Sequence, residues 1–363
     1  MKRISLSDKC ILVTGAAGFI GANLVLSLLN SREHKGMKIL GVDNMNDYYD
    51  VAIKEYRLKM IEDAAKTSDN EWVFFKKSIA DEAFIKELFE SCNIKIVVNL
   101  AAQAGVRYSI VNPDAYMEAN IMGFYRILEA CRHSREKDET GGVEHLVYAS
   151  SSSIYGDSSD IPYRVDAPTE HPVSLYAATK KSDELLAHAY SKLYEIPSTA
   201  LRFFTVYGPA GRPDMAYFGF TDKLRRGEKI KIFNHGNCRR DFTYVDDVVE
   251  GIIRVMQGAP DKKKGEDGLP LAPYAIYNIG NSKPVDLMEF IDILAAELKQ
   301  AGVLPGDFDI KAHQELVPMQ PGDVAVTYAD TSALERDYGY RPSTDIRTGL
   351  KNFAIWYKEF YLS

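Results

Sequence analysis

The sequence predicts a doubly wound α/β fold, in which a parallel β-sheet carries helices on both faces. Short apolar segments alternate with helical segments through the first 200 residues, which is the pattern of successive β-α units. The first unit joins its strand to its helix through a glycine-rich turn. After about Gly208 the alternation weakens. We therefore expect a first domain over residues 1–207 and mainly a smaller C-terminal α/β lobe over residues 208–363, from which the chain can cross back to the first domain.

Apolar runs and helical periodicity predict the individual strands and helices. Strands are expected at Cys10–Thr14, Lys38–Val42, Trp72–Phe75, Lys95–Asn99, His145–Ala149 and Ser198–Phe203. Helices are expected at Ala22–Leu29, Val51–Ala65, Ala83–Ser91, Asp114–His133 and Leu175–Tyr194. In a parallel sheet of this kind, ligands bind at the carboxyl ends of the strands. The chemically distinctive residues directly follow these strand ends, so the sequence predicts one binding site there.

The turn after the first strand predicts a dinucleotide site. Gly15, Gly18 and Gly21 have the spacing Gly-x-x-Gly-x-x-Gly and lead directly into a helix. Glycines let the backbone approach a pyrophosphate, and the start of the helix offers free N–H groups and positive potential. Asp43 ends the second strand, where a carboxylate suits a ribose with free hydroxyls and repels a 2′-phosphate. The pattern therefore indicates a Rossmann-type domain that binds NAD.

A second motif supplies acid–base chemistry. Tyr176 and Lys180 are four residues apart on a predicted helix, so their side chains lie on one face. A lysine ammonium beside a phenol stabilises the phenolate. A serine from residues 150–153, at the end of the fifth strand, can complete a proton relay. This combination suits a base that removes a proton from a sugar hydroxyl while a hydride leaves the same carbon.

The composition is that of a globular protein and argues against several other classes of function. Of the 363 residues, 46% are hydrophobic and 26% charged, and the formal net charge is −7. No basic block stands out, so binding to nucleic acid is not expected. The cysteines, Cys10, Cys92, Cys131 and Cys238, stand singly without metal-ligand spacing, which predicts free thiols and no metal site. With no signal peptide or long apolar segment, we expect a cytoplasmic protein without a membrane span.

These motifs resemble the extended short-chain dehydrogenase/reductase family, and within it the nucleotide-sugar epimerases. The resemblance covers nearly the whole chain and is carried by residues 14–21, 100–103, 176–180 and 240–247. Residues 43–50, 102–109 and 207–215 further resemble the 4-epimerases of UDP-linked uronic acids. The resemblance implies tightly bound NAD that is regenerated in each cycle. It also implies a transient 4-keto sugar between UDP-glucuronate and UDP-galacturonate.

The resemblance assigns roles to individual residues by matching positions. The family's catalytic serine or threonine lies four residues before the tyrosine of a Tyr-Gly pair, here Tyr155-Gly156. The implied catalytic residues are Ser151, Tyr176 and Lys180. The implied NAD site comprises Gly15, Gly18, Phe19, Ile20, Gly21, Asp43, Asn44, Ser78, Ile79, Leu100, Ala101, Ala102, Gln103, Asn120, Ser150, Tyr176 and Lys180. The implied UDP-sugar contacts are Arg107, Ser152, Ser153, Thr205, Arg212, Arg240 and Asp323.

One position departs from the family's pattern. The third strand of related proteins often ends in Asp-Ile or Asp-Leu, whose aspartate holds the adenine amino group, whereas this chain has Ser78-Ile79. Serine accepts a hydrogen bond without the assistance of a charge. We therefore expect adenine to be held more weakly here or by a different arrangement.

Several other functions remain open at the level of sequence. A UDP-glucose/UDP-galactose 4-epimerase would share the whole catalytic core, although residues 211–214 favour the uronate. Related dehydratases carry Asp-Glu where this chain has Ser152 and Ser153, and related UDP-glucuronate decarboxylases carry Glu at the second of these positions, so the serines argue against both. A non-catalytic NAD-binding sensor would usually have lost the Tyr176–Lys180 pair. The resemblance also implies a homodimer, in which helices 114–133 and 175–194 pair with their copies.

Overall fold

A parallel sheet forms the centre of the molecule. The computed structural model describes residues 1–137, 142–319 and 324–362. Within these residues, the central sheet contains seven parallel strands: β1 (Cys10–Thr14), β2 (Lys38–Asp43), β3 (Glu71–Lys76), β4 (Ile94–Asn99), β5 (His145–Ser151), β6 (Ser198–Phe203) and β7 (Tyr274–Ile279). Their spatial order is β7-β6-β5-β4-β1-β2-β3. The order reverses between β1 and β4, and in open sheets of this type the ligand crevice lies at such a reversal.

Helices pack on both faces of this sheet. Ile11 and Val13 of β1 belong to one hydrophobic core, whereas Leu12 between them belongs to another, because alternate side chains of a strand point to opposite faces. The helices are α1 (Phe19–Leu29), α2 (Val51–Ala65), α3 (Glu82–Ser91), α4 (Tyr108–Val111), α5 (Pro113–Tyr116), α6 (Phe124–Lys137), α7 (Leu175–Tyr194), α8 (Ala216–Arg225), α9 (Val245–Met256), α10 (Leu287–Ala301), α11 (Ser332–Tyr338) and α12 (Ile346–Leu362). Among the described residues, none of the helices has both the length and the apolar content that crossing a membrane requires.

The predicted doubly wound fold is confirmed, and the predicted elements of the first 200 residues largely match the observed ones. The strands β1 and β6 and the helices α2 and α7 match residue for residue. Strand β7 is not among the predicted strands. It lies in the C-terminal portion of the chain and pairs with β6, so the chain returns to the sheet after residue 208. The division into domains at residue 207 stays a prediction.

Residues 114–133 do not form the single regular helix that the sequence predicts. A π-helical turn, Met117–Gly123, separates α5 from α6. Within this turn, the Asn120 side-chain amide donates hydrogen bonds to the Gln103 carbonyl at 3.1 Å and to the Thr179 hydroxyl at 3.0 Å. The turn thus bridges the segment after β4 and helix α7. Helical periodicity carries no signal of it, because the stabilising contacts come from two other elements.

A buried aspartate attaches the C-terminal portion to the sheet. Asp241 accepts hydrogen bonds from the backbone N–H groups of Asn281, Ser282 and Ala329 at 2.7–3.0 Å. Burial raises the pKa of this carboxyl, and the three N–H donors counteract the rise. Asn281 and Ser282 lie two and three residues after the end of β7, so these bonds hold the segment around Asp241 at the carboxyl end of the sheet.

Candidate active site

The glycine turn forms a tight cradle at the end of β1. Gly15 has a φ of +68°, and a Cβ atom there would lie 2.8 Å from the backbone nitrogen of Ala101. A Cβ atom on Gly21 would lie 2.1 Å from the carbonyl oxygen of Gly15, so both positions require glycine. Gly18 is the N-cap of α1, and Phe19 begins the helix directly behind the turn. The first N–H groups of α1 are therefore placed where a pyrophosphate would bind.

Asp43 lies beside this cradle, at the end of β2. Its carboxylate accepts hydrogen bonds from the N–H groups of Ala17 at 3.2 Å and Met45 at 2.8 Å. These bonds hold a buried carboxylate against the turn, where a ribose with free hydroxyls would be recognised. Asn44 is exposed, and its side-chain oxygen accepts a hydrogen bond from the N–H of Asn46. The cradle and the carboxylate together fit NAD.

The segment that follows β4 lies against the glycine turn. The Ala101 N–H donates to the hydroxyl of Thr14 at 3.1 Å. The Gln103 N–H donates to the side-chain oxygen of Asn120 at 2.8 Å. Asn120 is predicted to bind the cofactor, and the structure shows its amide bonded to protein groups through both of its polar atoms. Its direct role toward NAD stays a prediction, and its role in fixing Gln103 is visible. The predicted cofactor residues of this segment are Leu100, Ala101, Ala102 and Gln103.

Ser78 and Ile79 lie just beyond the end of β3. The Ser78 hydroxyl accepts a hydrogen bond from the N–H of Ala80 at 3.1 Å, within a local turn. Ile79 is buried, and a Cβ atom on Gly123 of the π-helical turn would lie 2.6 Å from its Cγ1. Ile79 therefore packs against the backbone of that turn. That adenine is held more weakly at Ser78, or by a different arrangement, stays a prediction.

Helix α7 places Lys180 directly beside the end of β5. The Lys180 ammonium is buried and donates to the carbonyl oxygen of Ala149 in β5 at 3.0 Å. It also donates to the carboxylate of Asp183, one turn further along the helix, at 3.0 Å. These two bonds fix the position of the charge at the strand's end. Sequence reasoning does not single out Asp183.

Tyr176 lies in the first turn of α7. Ser174 caps the helix, and its hydroxyl accepts a hydrogen bond from the N–H of Ala177 at 3.1 Å. The half-buried Tyr176 ring packs edge-on against Tyr116, with 6.0 Å between ring centroids. The cap and this ring contact determine where the phenol lies relative to the sheet.

The serines at the end of β5 have different surroundings. The Ser150 hydroxyl is buried and donates to the carboxylate of Glu184 in α7 at 2.7 Å. The Ser151 hydroxyl accepts hydrogen bonds from the N–H and the hydroxyl of Ser153 at 3.2 and 2.9 Å. Ser152 and Ser153 are half-buried in a short 3₁₀ turn that packs against α7. The structure thus places the predicted relay hydroxyl beside the helix that carries the tyrosine–lysine pair.

Arg212 follows β6 and lies within electrostatic range of Tyr176. Its guanidinium donates to both carboxylate oxygens of Asp214, at 3.0 and 2.5 Å, and the Tyr48 hydroxyl donates to the same carboxylate at 3.1 Å. Burial lowers the pKa of Arg212, but the Asp214 carboxylate raises it by more. Burial and the Asp214 charge raise the pKa of Tyr48 to about 12, so this phenol stays a donor. The result is a guanidinium that its ion pair with Asp214 fixes near the predicted catalytic tyrosine.

The remaining predicted substrate residues lie on the side of the C-terminal portion. Thr205 begins a short strand that pairs in parallel with residues 242–244. The Arg240 guanidinium donates to two backbone carbonyl groups. The Arg107 guanidinium lies over the ring of Phe233, 5.3 Å from its centroid. Asp323 lies outside the described residues.

Arg57 joins the two sides of the site, and sequence reasoning misses it. Its side chain donates hydrogen bonds to the carbonyl oxygen of Ala17 in the glycine turn and to those of Ala210 and Gly211, all at 2.7–2.9 Å. Its residue surface is only 1% exposed. Arginine on a helix is usually exposed, so a single sequence gives no sign that this one is buried.

A family model matches most of this architecture. The model, described as the NAD dependent epimerase/dehydratase family, matches residues 11–280, which include the glycine turn, the serines after β5 and helix α7. The chain belongs to this family. Membership makes NAD the expected cofactor of the cradle at β1, in agreement with the geometry of the turn and of Asp43.

Individual family members match over nearly the whole chain. UDP-glucuronate 4-epimerase 3 of Arabidopsis thaliana is 42% identical over 358 residues, covering 97% of this chain and 77% of that protein. UDP-glucuronic acid 4-epimerase from Bacillus cereus, solved with UDP-glucuronic acid and NAD, has a TM-score of 0.80 and 29% identity, covering 97% of this chain and 100% of that chain. UDP-glucose 4-epimerase from Thermotoga maritima, solved with UDP-glucose, has a TM-score of 0.76 and 26% identity, covering 97% and 99%.

Replacing Arg57 by lysine should loosen the glycine turn from residues 210 and 211. An ammonium cannot reproduce a planar fork that bonds three carbonyl groups, and each buried acceptor left unpaired costs about 1–3 kcal/mol. We expect Arg57→Lys to lower both the thermal midpoint and the amount of NAD released when the purified protein is denatured. Lys59→Arg, on the exposed side of the same helix, is the control and should change neither. An unchanged NAD content in Arg57→Lys would contradict the prediction.

Proposed function

We propose that this protein is a UDP-glucuronate 4-epimerase, which interconverts UDP-glucuronate and UDP-galacturonate. The proposal is carried by the arrangement at the carboxyl ends of β5 and β6. There the Tyr176–Lys180 pair lies beside serines 151–153, and the Arg212 guanidinium lies within electrostatic range of the tyrosine. A base, a hydroxyl relay and a guanidinium fixed in place suit a substrate that is both an alcohol and a carboxylate. The names of the Arabidopsis and Bacillus relatives support the same substrate.

Tyr176 is the residue that takes the proton from the C4 hydroxyl of the sugar. Lys180 has three N–H donors, of which two bond to Ala149 and Asp183. The third is available to a cofactor ribose, and the ammonium charge favours the phenolate form of Tyr176. Ser151 orients the sugar hydroxyl and relays its proton. NAD, which the glycine turn and Asp43 would hold, would supply the reversible oxidation at C4 that gives a 4-keto sugar and its reduction on the opposite face.

A uronate substrate sets a second requirement, because its 4-ketone is β to the C6 carboxylate. Such an acid loses carbon dioxide when the breaking C–C bond lines up with the carbonyl π system, so an epimerase has to hold the carboxylate in another orientation. Arg212 can do this through charge-assisted hydrogen bonds, and Ser152, Ser153 and Thr205 through neutral ones. Asp214 accepts hydrogen bonds from two nitrogens of the Arg212 guanidinium. These bonds fix the direction in which the remaining N–H groups of the guanidinium point.

The sugar has to turn over between oxidation and reduction, so only the UDP half can be held throughout. Arg240 is proposed for the diphosphate, because it belongs to the string of residues 240–244 that resembles the family's nucleotide-sugar motif. It also lies next to Asp241, which three backbone N–H groups hold in place. Arg107 and Asp323 are proposed as further contacts to the UDP-sugar. The UDP half is thus bound throughout the reaction, whereas the carboxylate is bound only while the sugar is in one orientation.

The deciding experiment is to incubate the purified protein with UDP-glucuronate and no added NAD, and to follow the nucleotide sugars by NMR. UDP-galacturonate is the expected product. A UDP-pentose would instead indicate a decarboxylase, and turnover of UDP-glucose alone would overturn the substrate. The Tyr176→Phe variant is the matched control. Because it lacks the acid–base hydroxyl, we expect its turnover to fall by at least about 10²-fold while its NAD content stays unchanged.

Replacing Arg212 by alanine tests the recognition of the carboxylate. Loss of a charge-assisted hydrogen bond costs about 1.5–3 kcal/mol, which is roughly a 10- to 100-fold loss in kcat/KM for UDP-glucuronate. UDP-glucose has no carboxylate, so its turnover should fall much less. Arg226→Ala is the control, because Arg226 is exposed and pairs with Glu228. Equal losses on both sugars would remove Arg212 from carboxylate recognition.

We propose further that two copies of the chain associate through helices α6 and α7, which pack against each other. Leu185 and Leu193 of α7 are 61% and 70% exposed. Met117 and Met122 of the neighbouring π-helical turn are also exposed. Monomeric proteins rarely expose large side chains of this kind in one region. A second copy of the same face would cover them as a symmetric interface.

A charge on this face should dissociate the dimer. We expect wild-type protein to sediment as a dimer and Leu185→Glu to sediment as a monomer, because the burial of an unpaired carboxylate opposes association. Ile355→Glu, which places the same charge on an exposed position of α12, is the control and should remain dimeric. A wild-type protein that sediments as a monomer at micromolar concentration would refute this assembly.

A further inference from the structure

Asp183 is a buried carboxylate in direct contact with the catalytic lysine. Its side chain is 2% exposed and that of Lys180 3%, and Oδ2 lies 3.0 Å from Nζ. Within the described part of the chain, its other oxygen, Oδ1, is buried and has no hydrogen-bond partner. A buried carboxylate oxygen without a partner destabilises a folded protein. The position is therefore poorly explained by stability alone.

The spacing along α7 places this carboxylate on the face of the helix used for catalysis. Tyr176, Lys180 and Asp183 occupy positions i, i+4 and i+7, which lie in one row on a helix surface. The ammonium thus lies between a phenol on one side and a carboxylate on the other. Any charge that Lys180 exerts on Tyr176 is exerted in the presence of the opposite charge of Asp183.

Among the described residues, Lys180 is the cationic side chain that pairs with Asp183. Glu184, the next residue, is itself held in a buried ion pair with an arginine of β6. Tyr148 of β5 and Tyr274 of β7 face the aspartate, and their hydroxyls bond to each other at 2.7 Å. Burial raises the pKa of Asp183 to about 6, while Lys180 acts in the opposite direction. The ion pair with Lys180 therefore favours the charged form of Asp183, against the effect of burial.

We propose that Asp183 is a positioning residue that fixes the Lys180 ammonium and partly offsets its positive charge. Asp183 thereby sets the pH range in which Tyr176 works as a base. The inference rests on the proposed function. Removal of a negative charge favours the deprotonated form of every neighbouring group. Without Asp183, Tyr176 loses its proton at lower pH, because the ammonium acts on it undiminished. Lys180 also loses its proton at lower pH, because its own partner is gone.

The first test is the pH profile of kcat for Asp183→Asn, with whichever UDP-sugar the enzyme turns over. The acidic limb and the basic limb of the profile should both move to lower pH by about one unit. Glu195→Gln is the control, because it removes the same charge from the exposed end of α7, about 18 Å away along the helix axis at 1.5 Å per residue. Its limbs should stay in place. Limbs of Asp183→Asn that also stay in place would overturn the proposal, whatever the loss in rate.

The second test needs no substrate, so its result is independent of the proposed function. The phenolate of Tyr176 is titrated in the holoenzyme by ultraviolet absorbance, as the difference between a protein and its Tyr176→Phe counterpart. In the Asp183→Asn background the titration should move to lower pH than in wild type. If the asparagine variant does not fold, Asp183→Ser, which adds no volume, is used in its place. A lower thermal midpoint without a shift in this titration would show a purely structural role and overturn the proposal.

Discussion

The position of helix α7 depends on a buried ion pair between Glu184 and Arg202. Two nitrogens of Arg202 donate to the two carboxylate oxygens at 2.8 and 2.9 Å, and the Ser150 hydroxyl donates to one of the same oxygens at 2.7 Å. Breaking such a pair by removing one partner costs about 3–5 kcal/mol. Tyr176 and Lys180 lie two turns and one turn before Glu184 on the same face. The pair therefore fixes both where the helix lies on β5 and β6 and where the phenol and the ammonium are presented.

A second set of contacts joins the cofactor side of the site to the substrate side. Arg57 bonds the glycine turn to residues 210 and 211, and Tyr48, a few residues beyond Asp43, bonds to Asp214. Arg212 lies between these contacts. The guanidinium proposed to hold the sugar carboxylate is thus positioned by the same loops that shape the NAD cradle. The hydrogen bonds of Arg57 and Tyr48 thus hold the two sides of the crevice together.

The elements that local pattern specifies were predictable from sequence, and those that depend on distant contacts were not. The glycine turn, Asp43 and α7 carry their signals within a few residues, as glycine spacing, a strand end and helical periodicity. The π-helical turn could not be predicted, because Asn120 is held by Gln103 and Thr179, which are remote from it in sequence. Arg57 and Asp183 escape for the same reason: nothing beside them in the sequence shows that they are buried or what they contact. The residue pattern indicates the serines only as a run, and their separate roles come from the resemblance; neither shows that the hydroxyl of Ser150 is bonded to Glu184.

The pairing of β6 with β7 has a consequence for biosynthesis. These neighbours in the sheet are separated by the whole segment from Phe204 to Pro273, so the seventh strand leaves the ribosome long after the sixth. Until then, β6 of the nascent polypeptide presents an unpaired edge, which is a template for pairing with other chains. The growing chain therefore passes through a stage in which helix α7 is already synthesised but the sheet beneath it is still open.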